Sequence, residues 1–351
     1  MIEETFPAAD FAIPGAHPSL FLELVEQELD LLTLKPCWNS LLARSQSDSF
    51  FLTWEWVWTW WQVYGEDYKL FVLVARDHRG SVCGIAPLVL NGTQPSCLEF
   101  VGQNQAWGEY LGFIVDQGRE VCVTEAFSHA LLKFRTEGRW SSIHFRFVRR
   151  DAAMLPLMLE AFDKRGLTLA LSDEEVAPFV GLPETWERYL EVKGPSFQKR
   201  IALNERRLNR LGQVQLVFAG DDMTIPEAFD QLVALHNARW GKVMDERFER
   251  FHRRLCDEIA PLGQLVLVLL RVGDQVVAAK YDFAYGGKVW NYQGGWSPDF
   301  SRLRVGSVLV ARIIEWAISK GFSEYDFLAG DYPYKRWWST EVRYTIDLRN
   351  N

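Results

Sequence analysis

The residue pattern with the clearest chemical meaning lies between residues 293 and 307, where a predicted strand leads into a short loop and a helix. A loop at a helix start presents unpaired backbone N–H groups at the positive end of the helix dipole, an arrangement that binds phosphate. Gly306 would let the backbone approach a pyrophosphate, and Arg302 and Arg304 would add positive charge. A glycine in a first helical turn also serves packing alone. The candidate phosphate-binding residues are Gln293, Gly294, Arg302, Arg304, Val305, Gly306 and Ser307.

A second polar segment follows the next predicted strand, residues 324–328. Its candidate functional residues are Asp331, Tyr334, Lys335 and Trp337. Loops on a rigid sheet frequently carry function. The alternative is structural, with Lys335 paired to Asp331 and the aromatic residues anchoring the loop. Within the strand, a buried carboxylate needs hydrogen-bond partners, so we expect Asp326 to be structural rather than catalytic.

His236 and Arg239 lie three positions apart on a predicted helix, residues 225–240, and therefore share one face. They are candidates for binding an acceptor substrate, although a single histidine on a half-apolar helix is more often structural. The six histidines of the chain form no close pair, so no metal site is predicted.

The second half of the chain predicts helices, a three-stranded meander, a further helix and two more strands, which together indicate a mixed sheet with one crossover. The meander strands are predicted at residues 264–271, 275–285 and 288–296, because glycine-containing turns separate them. The remaining predicted elements are helices 184–191, 196–211, 225–240, 246–260 and 305–319, and strands 214–218, 324–328 and 342–348.

The first half begins with a predicted amphipathic helix, capped by Ser19 and marked by the spacing of Leu20, Leu24 and Leu31. A tryptophan-rich helix follows at residues 54–61; core packing of these rings is favoured over stacking on a sugar. The later predicted elements are strands 70–75, 81–90, 98–101, 111–115, 142–147 and 167–171, and helices 119–136 and 152–165. An acidic and proline-containing stretch after residue 171 predicts the division into domains 1–180 and 181–351.

Composition narrows the class of protein. The 351 residues are 48% hydrophobic and 24% charged, as in globular proteins, and the net charge of −8 argues against general attraction to DNA or an anionic membrane. Five scattered cysteines without a CxxC pair argue against a disulfide framework and a zinc site. No apolar signal core or spanning segment is evident, so a soluble, cytoplasmic protein without membrane insertion is expected.

Several short motifs together resemble a known superfamily. The segment from Gly321 to Trp337 contains Asp326-Phe327-Leu328, Gly330-Asp331 and Tyr334-Lys335, and it follows a helix that contains Ile314-Glu315-Trp316-Ala317. With Trp54-Glu55-Trp56, Leu235-His236-Asn237-Ala238-Arg239-Trp240 and Gln293-Gly294-Gly295-Trp296, it resembles GNAT-type acyltransferases of the CelD-like, cellulose-biosynthesis group. These in turn resemble Fem-type aminoacyl transferases. The resemblance spans roughly residues 35 to 348.

The resemblance implies an α/β (α+β mixed sheet) fold with two tandem GNAT-like acyl-CoA N-acyltransferase domains. It implies acyl-CoA, with acetyl-CoA as the expected form, as co-substrate, with pantetheine between strands 288–296 and 324–328 and pyrophosphate at the helix that begins near Val305. In such a transfer, the loop after strand 324–328 would flank the thioester, which suggests Asp331 as base, Tyr334 as acid and Lys335 as a residue that stabilises the oxyanion or binds an anionic acceptor. His236, Arg239 and Trp337 are the candidates for contacting the acceptor. The superfamily motif would place a second glycine or alanine at Val308, which this chain lacks.

Three functions follow as hypotheses. The first is acyl transfer to an amine or hydroxyl of a small molecule, a sugar or a polysaccharide precursor. The second is Fem-like transfer from aminoacyl-tRNA, against which the acidic net charge counts, although residues 193–212 carry a local charge of +5. That run is also typical of a solvated helix face. The third is a non-catalytic GNAT-like scaffold that binds a glycan or a partner. The oligomeric state is left open.

Overall fold

The computed structural model describes residues 20–92, 96–221, 223–241 and 244–350. The chain forms two compact units, one of Met1–Glu175 with Tyr344–Asn351 and the other of Val176–Arg343. The final residues thus belong to the first unit, whereas the sequence suggested one division after residue 180.

The first unit contains two sheets and the helices that cover them. One sheet has the order β1-β3-β4-β7, and the other includes the order β15-β8-β6-β5-β2. The elements are β1 (Leu20–Val25), α1 (Glu28–Leu32), α2 (Lys35–Arg44), α3 (Trp54–Tyr64), β2 (Tyr68–Leu70), β3 (Val72–Asp77), β4 (Val82–Ala86), β5 (Leu88–Asn91), β6 (Cys97–Phe100), β7 (Ile114–Val115), α4 (Glu120–Thr136), β8 (Ser142–Arg149), α5 (Met154–Asp163), β9 (Ala170–Gly181), which continues into the second unit, and β15 (Glu341–Arg349), which enters from it.

The amphipathic helix predicted from residue 19 is wrong for its first part. Residues Leu20–Val25 form β1, which pairs antiparallel with β3, and a helix begins only at Glu28. The spacing of leucines fits a helix, but pairing with a distant strand satisfies the backbone of this segment and overrides the local pattern. Ser19, the predicted cap, lies outside the described residues.

The tryptophan-rich helix is confirmed as α3. The Thr53 hydroxyl accepts a hydrogen bond from the Trp56 backbone N–H at 3.4 Å and so caps the helix. Trp54, Trp56 and Trp60 are at most 1% exposed, which confirms core packing for these rings.

The second unit is built on one sheet with the order β10-β11-β12-β13-β14-β9. Its elements are α6 (Trp186–Lys193), α7 (Pro195–Asn209), β10 (Val214–Phe218), α8 (Ile225–Trp240), α9 (Glu246–Ile259), β11 (Leu265–Val272), β12 (Gln275–Tyr285), β13 (Lys288–Trp296), α10 (Val305–Ser319), β14 (Glu324–Asp326) and α11 (Pro333–Trp338). The predicted meander, the helix after it and the strand beyond that helix are confirmed. Helix α11 and the strand character of residues 172–181 were not predicted.

Helices cover both faces of this sheet. On one face, apolar residues of α6, α7 and α10 form a core with Ala284 of β12 and Val289 of β13. On the other face, Phe229 of α8 packs edge-on against Tyr281 of β12, with ring centroids 5.7 Å apart. Gly295 of β13 lets α8 approach closely, because a Cβ there would lie 2.3 Å from the backbone nitrogen of His236. Helices α8 and α10 therefore lie on opposite faces of β13.

In the first unit, a buried carboxylate fixes the last strand. Asp347, 3% exposed, accepts hydrogen bonds from the Phe147 backbone N–H at 3.1 Å and from Arg146 Nε at 3.3 Å, and lies 3.0 Å from His144 Nε2. Burial alone would raise the pKa of Asp347, but these partners outweigh burial and lower it.

We expect Asp347→Asn to lower the free energy of unfolding by about 1.5–3 kcal/mol at pH 7, because it removes the charge that these donors stabilise. Since the folded pKa is lowered, this stabilisation is present above the unfolded value of about 3.9 and is lost as pH falls through the folded pKa. Urea unfolding at several pH values should show the difference from the wild type shrinking below about pH 4. The exposed-residue control Asp257→Asn should change stability by less than about 0.5 kcal/mol. An equal loss in both variants would contradict this account.

Candidate active site

The candidate site lies where two neighbouring parallel strands separate. Strands β13 and β14 pair from Lys288 with Glu324 to Trp290 with Asp326, and there the pairing ends. Strand β13 continues along β12 to Trp296, with a bulge: Asp282 pairs with Asn291 and Tyr281 with Gln293, so Tyr292 is an extra residue. Bulges re-aim backbone groups and are frequent beside active sites. The sheet therefore has an opening beyond Trp290.

Buried polar contacts hold the loop that follows β14. Leu328 has a positive φ of 62°, and its N–H donates to the Asp326 carboxylate at 2.7 Å. The ammonium of Lys335, 6% exposed, donates to the carbonyl oxygens of Leu328 at 3.1 Å and Ala329 at 2.5 Å. Arg343 Nη1 lies 3.4 Å from the second oxygen of Asp326. Asp326 thus has the hydrogen-bond partner expected of a buried carboxylate, and its structural role stays a prediction.

These contacts bear on two predicted catalytic residues. Lys335 does not pair with Asp331, so the structural alternative suggested for the pair is wrong. Asp331 is exposed and forms an ion pair with Arg336 through both carboxylate oxygens. The Lys335 ammonium is bound to main-chain carbonyls, which fixes the loop conformation. The roles of Asp331 as base and Lys335 on the oxyanion stay predictions.

Tyr334 lies on α11, which follows this loop, and its side chain is 45% exposed. Partial removal from water raises the pKa of Tyr334 to about 12, with the nearby charge of Arg239 acting in the opposite direction and that of Asp282 in the same direction. The hydroxyl is therefore protonated at neutral pH and can donate a proton or a hydrogen bond.

His236 and Arg239 are brought close to this opening by α8. His236 is 5% exposed, and its buried Nδ1 has no hydrogen-bond partner among the residues that the structure describes. Burial lowers the pKa of His236, and the polar side chains of Gln293 and Asn237 act in the opposite direction without outweighing it. At neutral pH the imidazole is therefore uncharged. An unpartnered ring nitrogen in an otherwise buried position is available to a bound ligand.

The start of α10 has the geometry expected of a phosphate site. Arg304 precedes the helix with a positive φ of 57°, and the N–H groups of Ser307 and Val308 both donate to its carbonyl. The N–H groups of Val305 and Gly306 have no backbone acceptor within the described ranges. These two donors, at the positive end of a 15-residue helix, are free to bind an anion. Arg302 and Arg304 are exposed beside them.

Gly306 also has a packing role. A Cβ at this position would lie 3.2 Å from Cδ1 of Trp296, a tight contact. Trp337, the predicted acceptor contact, packs on Phe197 with ring centroids 4.4 Å apart and on Trp338 at 4.7 Å. Packing in this aromatic cluster explains the presence of Trp337 without any role in ligand binding. Acceptor binding by Trp337 stays a prediction.

A buried ionic network beneath the opening was missed by the sequence analysis. Asp282, fully buried, accepts a hydrogen bond from the Tyr325 hydroxyl at 2.8 Å and from the Tyr292 N–H at 3.2 Å, and Lys280 Nζ lies 3.5 Å away. Asn291 donates to the Tyr325 hydroxyl at 2.7 Å. Burial raises the pKa of Asp282 and lowers that of Lys280. Two opposite charges at alternate positions of an otherwise apolar strand were the signal in the sequence.

No group of residues suited to holding a metal ion is found within the described ranges. The same ranges contain no helix that is long and apolar enough to span a membrane.

We expect Asp282→Asn to lower the free energy of unfolding by about 3–5 kcal/mol, because it leaves the buried ammonium of Lys280 without its carboxylate. The loss should shrink as pH rises, since Lys280 can then release its proton. Chemical denaturation at pH 7 and at higher pH tests both expectations, with Asp257→Asn as the control. A loss below about 1 kcal/mol at pH 7 would show that the pair is dispensable.

Comparison with known protein families finds a match for the part of the chain that contains the candidate site. Residues 195–336 match the family model described as "Acetyltransferase (GNAT) domain". A sequence comparison with curated proteins finds no match.

Solved structures are similar over nearly the whole chain at low sequence identity. FemX has a TM-score of 0.67 at 11% identity, with 89% of this chain and 95% of that protein covered. A tandem GNAT protein from the clavulanic acid biosynthesis pathway has a TM-score of 0.53 at 13% identity, covering 94% and 98%. L-PGS from Bacillus licheniformis has a TM-score of 0.55 at 9% identity, covering 89% and 90%. The chain therefore has a mixed α/β GNAT fold similar to that of the tandem GNAT protein, and residues 195–336 match the acetyltransferase (GNAT) domain model.

Proposed function

We propose that the protein transfers an acyl group, most simply acetyl, from an acyl-CoA thioester to an amine or hydroxyl of a small molecule, sugar or polysaccharide precursor. One observation carries the proposal: β13, which borders the opening, ends at Trp296 against the helix start that presents the free N–H groups of Val305 and Gly306. A thioester in the opening and a pyrophosphate on the helix start would fit one extended donor. The CelD-like grouping is part of this proposal.

The donor would lie with its pantetheine arm beside β13, where Gln293 and Gly294 follow the bulge, and its phosphates at α10. Arg302 and Arg304 are placed to add charge there. Val308, at the position of the expected second small residue, is fully buried, so its side chain faces the core instead of the phosphates. The valine at the motif's second small-residue position therefore does not block the N–H groups of Val305 and Gly306.

In the proposed reaction, an acceptor amine attacks the thioester carbonyl carbon. The C–N bond forms, the C–S bond breaks, and the thiolate takes the proton of the Tyr334 hydroxyl. The amine proton passes to Nδ1 of His236, whose pKa is lowered and which is therefore neutral at pH 7. Solvent then takes the proton from His236 and returns one to Tyr334. Asp331 is the other candidate base, but its carboxylate is exposed and ion-paired with Arg336.

A second candidate donor is an aminoacyl-tRNA, as the Fem-type resemblance implies. It is favoured by the exposed side chains of Lys199, Arg200, Arg206 and Arg207 on α7 and of Arg210, which follows the helix. Helix α7 packs against α10, and Glu205 of α7 pairs with Arg312 of α10 at 2.8 Å. These cations would extend the positive surface beyond what a CoA molecule requires.

Calorimetric titration of CoA and acetyl-CoA tests the donor. We expect micromolar binding by the wild type, nearly unchanged binding by Gly306→Ala, and at least a tenfold loss in Gly306→Glu, because only the glutamate adds an anion to the phosphate site. The alanine variant controls for crowding against Trp296. Absence of CoA binding to a folded wild type would reject the acyl-CoA proposal and direct the search to tRNA or to a non-catalytic role.

The pH dependence of transfer from acetyl-CoA tests the two catalytic assignments. We expect the rate to rise with pH through an apparent pKa below 6.5 and then to stay level, since His236 must be neutral and Tyr334 keeps its proton to about pH 12. Tyr334→Phe should lower kcat by about 10²–10⁴ and keep the acidic limb. His236→Gln should remove that limb. If Asp331→Asn removes it instead, Asp331 is the base.

A further inference from the structure

Arg239 is a half-buried cation held by two aromatic rings. Its guanidinium carbon lies 4.1 Å from the ring centroid of Trp240 and 4.9 Å from that of Trp296. Each ring attracts the cation through its quadrupole. Arg239 forms no hydrogen bond or ion pair with the described residues, whereas Arg253 of α9, which is also half-buried, pairs with Asp230. Trp240, which follows Arg239 at the end of α8, is 55% exposed.

Such an arginine is prepared for an anionic ligand. The guanidinium keeps its charge in folded proteins and offers five N–H donors in a rigid fork that matches a carboxylate or a phosphate. Its surroundings oppose the charge, since burial lowers the pKa of Arg239. Removing a cation partly from water without a counterion is costly, and an incoming anion would compensate that cost.

We propose that Arg239, with Trp240 and Trp296, binds a carboxylate or phosphate group of the acyl acceptor; this inference rests on the proposed acyl transfer and names its substrate class. The face of the sheet supports the acceptor as the source of the anion. Helix α8 covers the face opposite to α10, where the donor phosphates would bind. The Trp296 ring is close to both helices, because it lies 4.9 Å from the Arg239 guanidinium carbon and would lie 3.2 Å from a Cβ at Gly306.

The spacing of the site limits the acceptor further. His236 lies one helical turn before Arg239, and residues three apart on a helix have Cβ atoms about 5–6 Å apart. His236 presents a buried ring nitrogen without a partner in the described part of the chain. An acceptor held by both residues would carry its amine and its acid group in one small molecule. A short amino acid or an amino-sugar phosphate has this chemistry.

Matched acceptor pairs test the inference. The pairs are 4-aminobutanoate with 4-aminobutanamide, and glucosamine 6-phosphate with glucosamine, each assayed for CoA release from acetyl-CoA. We expect the acid member of at least one pair to have the lower KM. Arg239→Gln should raise the KM for that acid member by about 10–100-fold, the effect of a lost charge-assisted contact, and leave its neutral partner within twofold. Arg250→Gln, which changes an exposed arginine on α9, is the matched control.

The donor must be measured in the same variants. CoA titration into Arg239→Gln should give the wild-type Kd within twofold. A tenfold weaker Kd for CoA with unchanged acceptor KM would assign the anion to the donor and overturn the inference. Equal KM values for acid and neutral acceptors would overturn it as well.

Failure of the proposed transfer would look different. If CoA binds and no acceptor is acylated, calorimetric titration of the two acid members into the CoA-bound protein still decides the role of Arg239. Binding that is lost in Arg239→Gln supports the anion site, and absence of binding rejects it.

Discussion

The hydrogen bond from the Tyr325 hydroxyl to the Asp282 carboxylate is the contact on which the candidate site depends. It joins β14 to β12 across β13, at 2.8 Å, with both residues fully buried. Only three residue pairs connect β13 and β14. Strands that separate after so short a ladder need another connection, because unpaired backbone groups would otherwise favour closing the gap. The Lys280 ammonium balances the carboxylate, so the connection carries little net charge into the core.

The loop beyond β14 is likewise held in place by buried polar contacts. Leu328 has a left-handed backbone conformation that a leucine rarely adopts. This conformation persists because the N–H of Leu328 donates to Asp326 and its carbonyl accepts from Lys335. This fixes the start of α11 and therefore the position of Tyr334. Lys335 thus holds the loop through buried contacts, while Tyr334, the preceding residue on α11, faces solvent.

The sequence predicted those parts of the site whose signals are local. Glycine-containing turns, the hydrophobic period of each segment and the helix caps predicted the meander, α10 and the strand after it. Each of these signals lies within a few residues of the element that it defines. Strand β1 was misread, since its pairing with β3 lies some 50 positions away along the chain. The Asp282 network was missed for the same reason, because Tyr325 joins it only through the order of the strands. Local patterns contain no record of which strands become neighbours.

The helices on the two faces of β13 define the sides from which donor and acceptor would reach the site. Gly295 lets α8 lie against one face, and Gly306 lets Trp296 pack against the start of α10 on the other. A nucleophile must approach a thioester carbonyl out of its plane, so a donor bound at α10 and an acceptor bound under α8 would meet across the opening. The two glycines therefore do more than permit turns, because they bring a free helix start and a ring-bound arginine to the same strand end. In a protein with a net charge of −8, such local cations also define where an anionic substrate can bind at all.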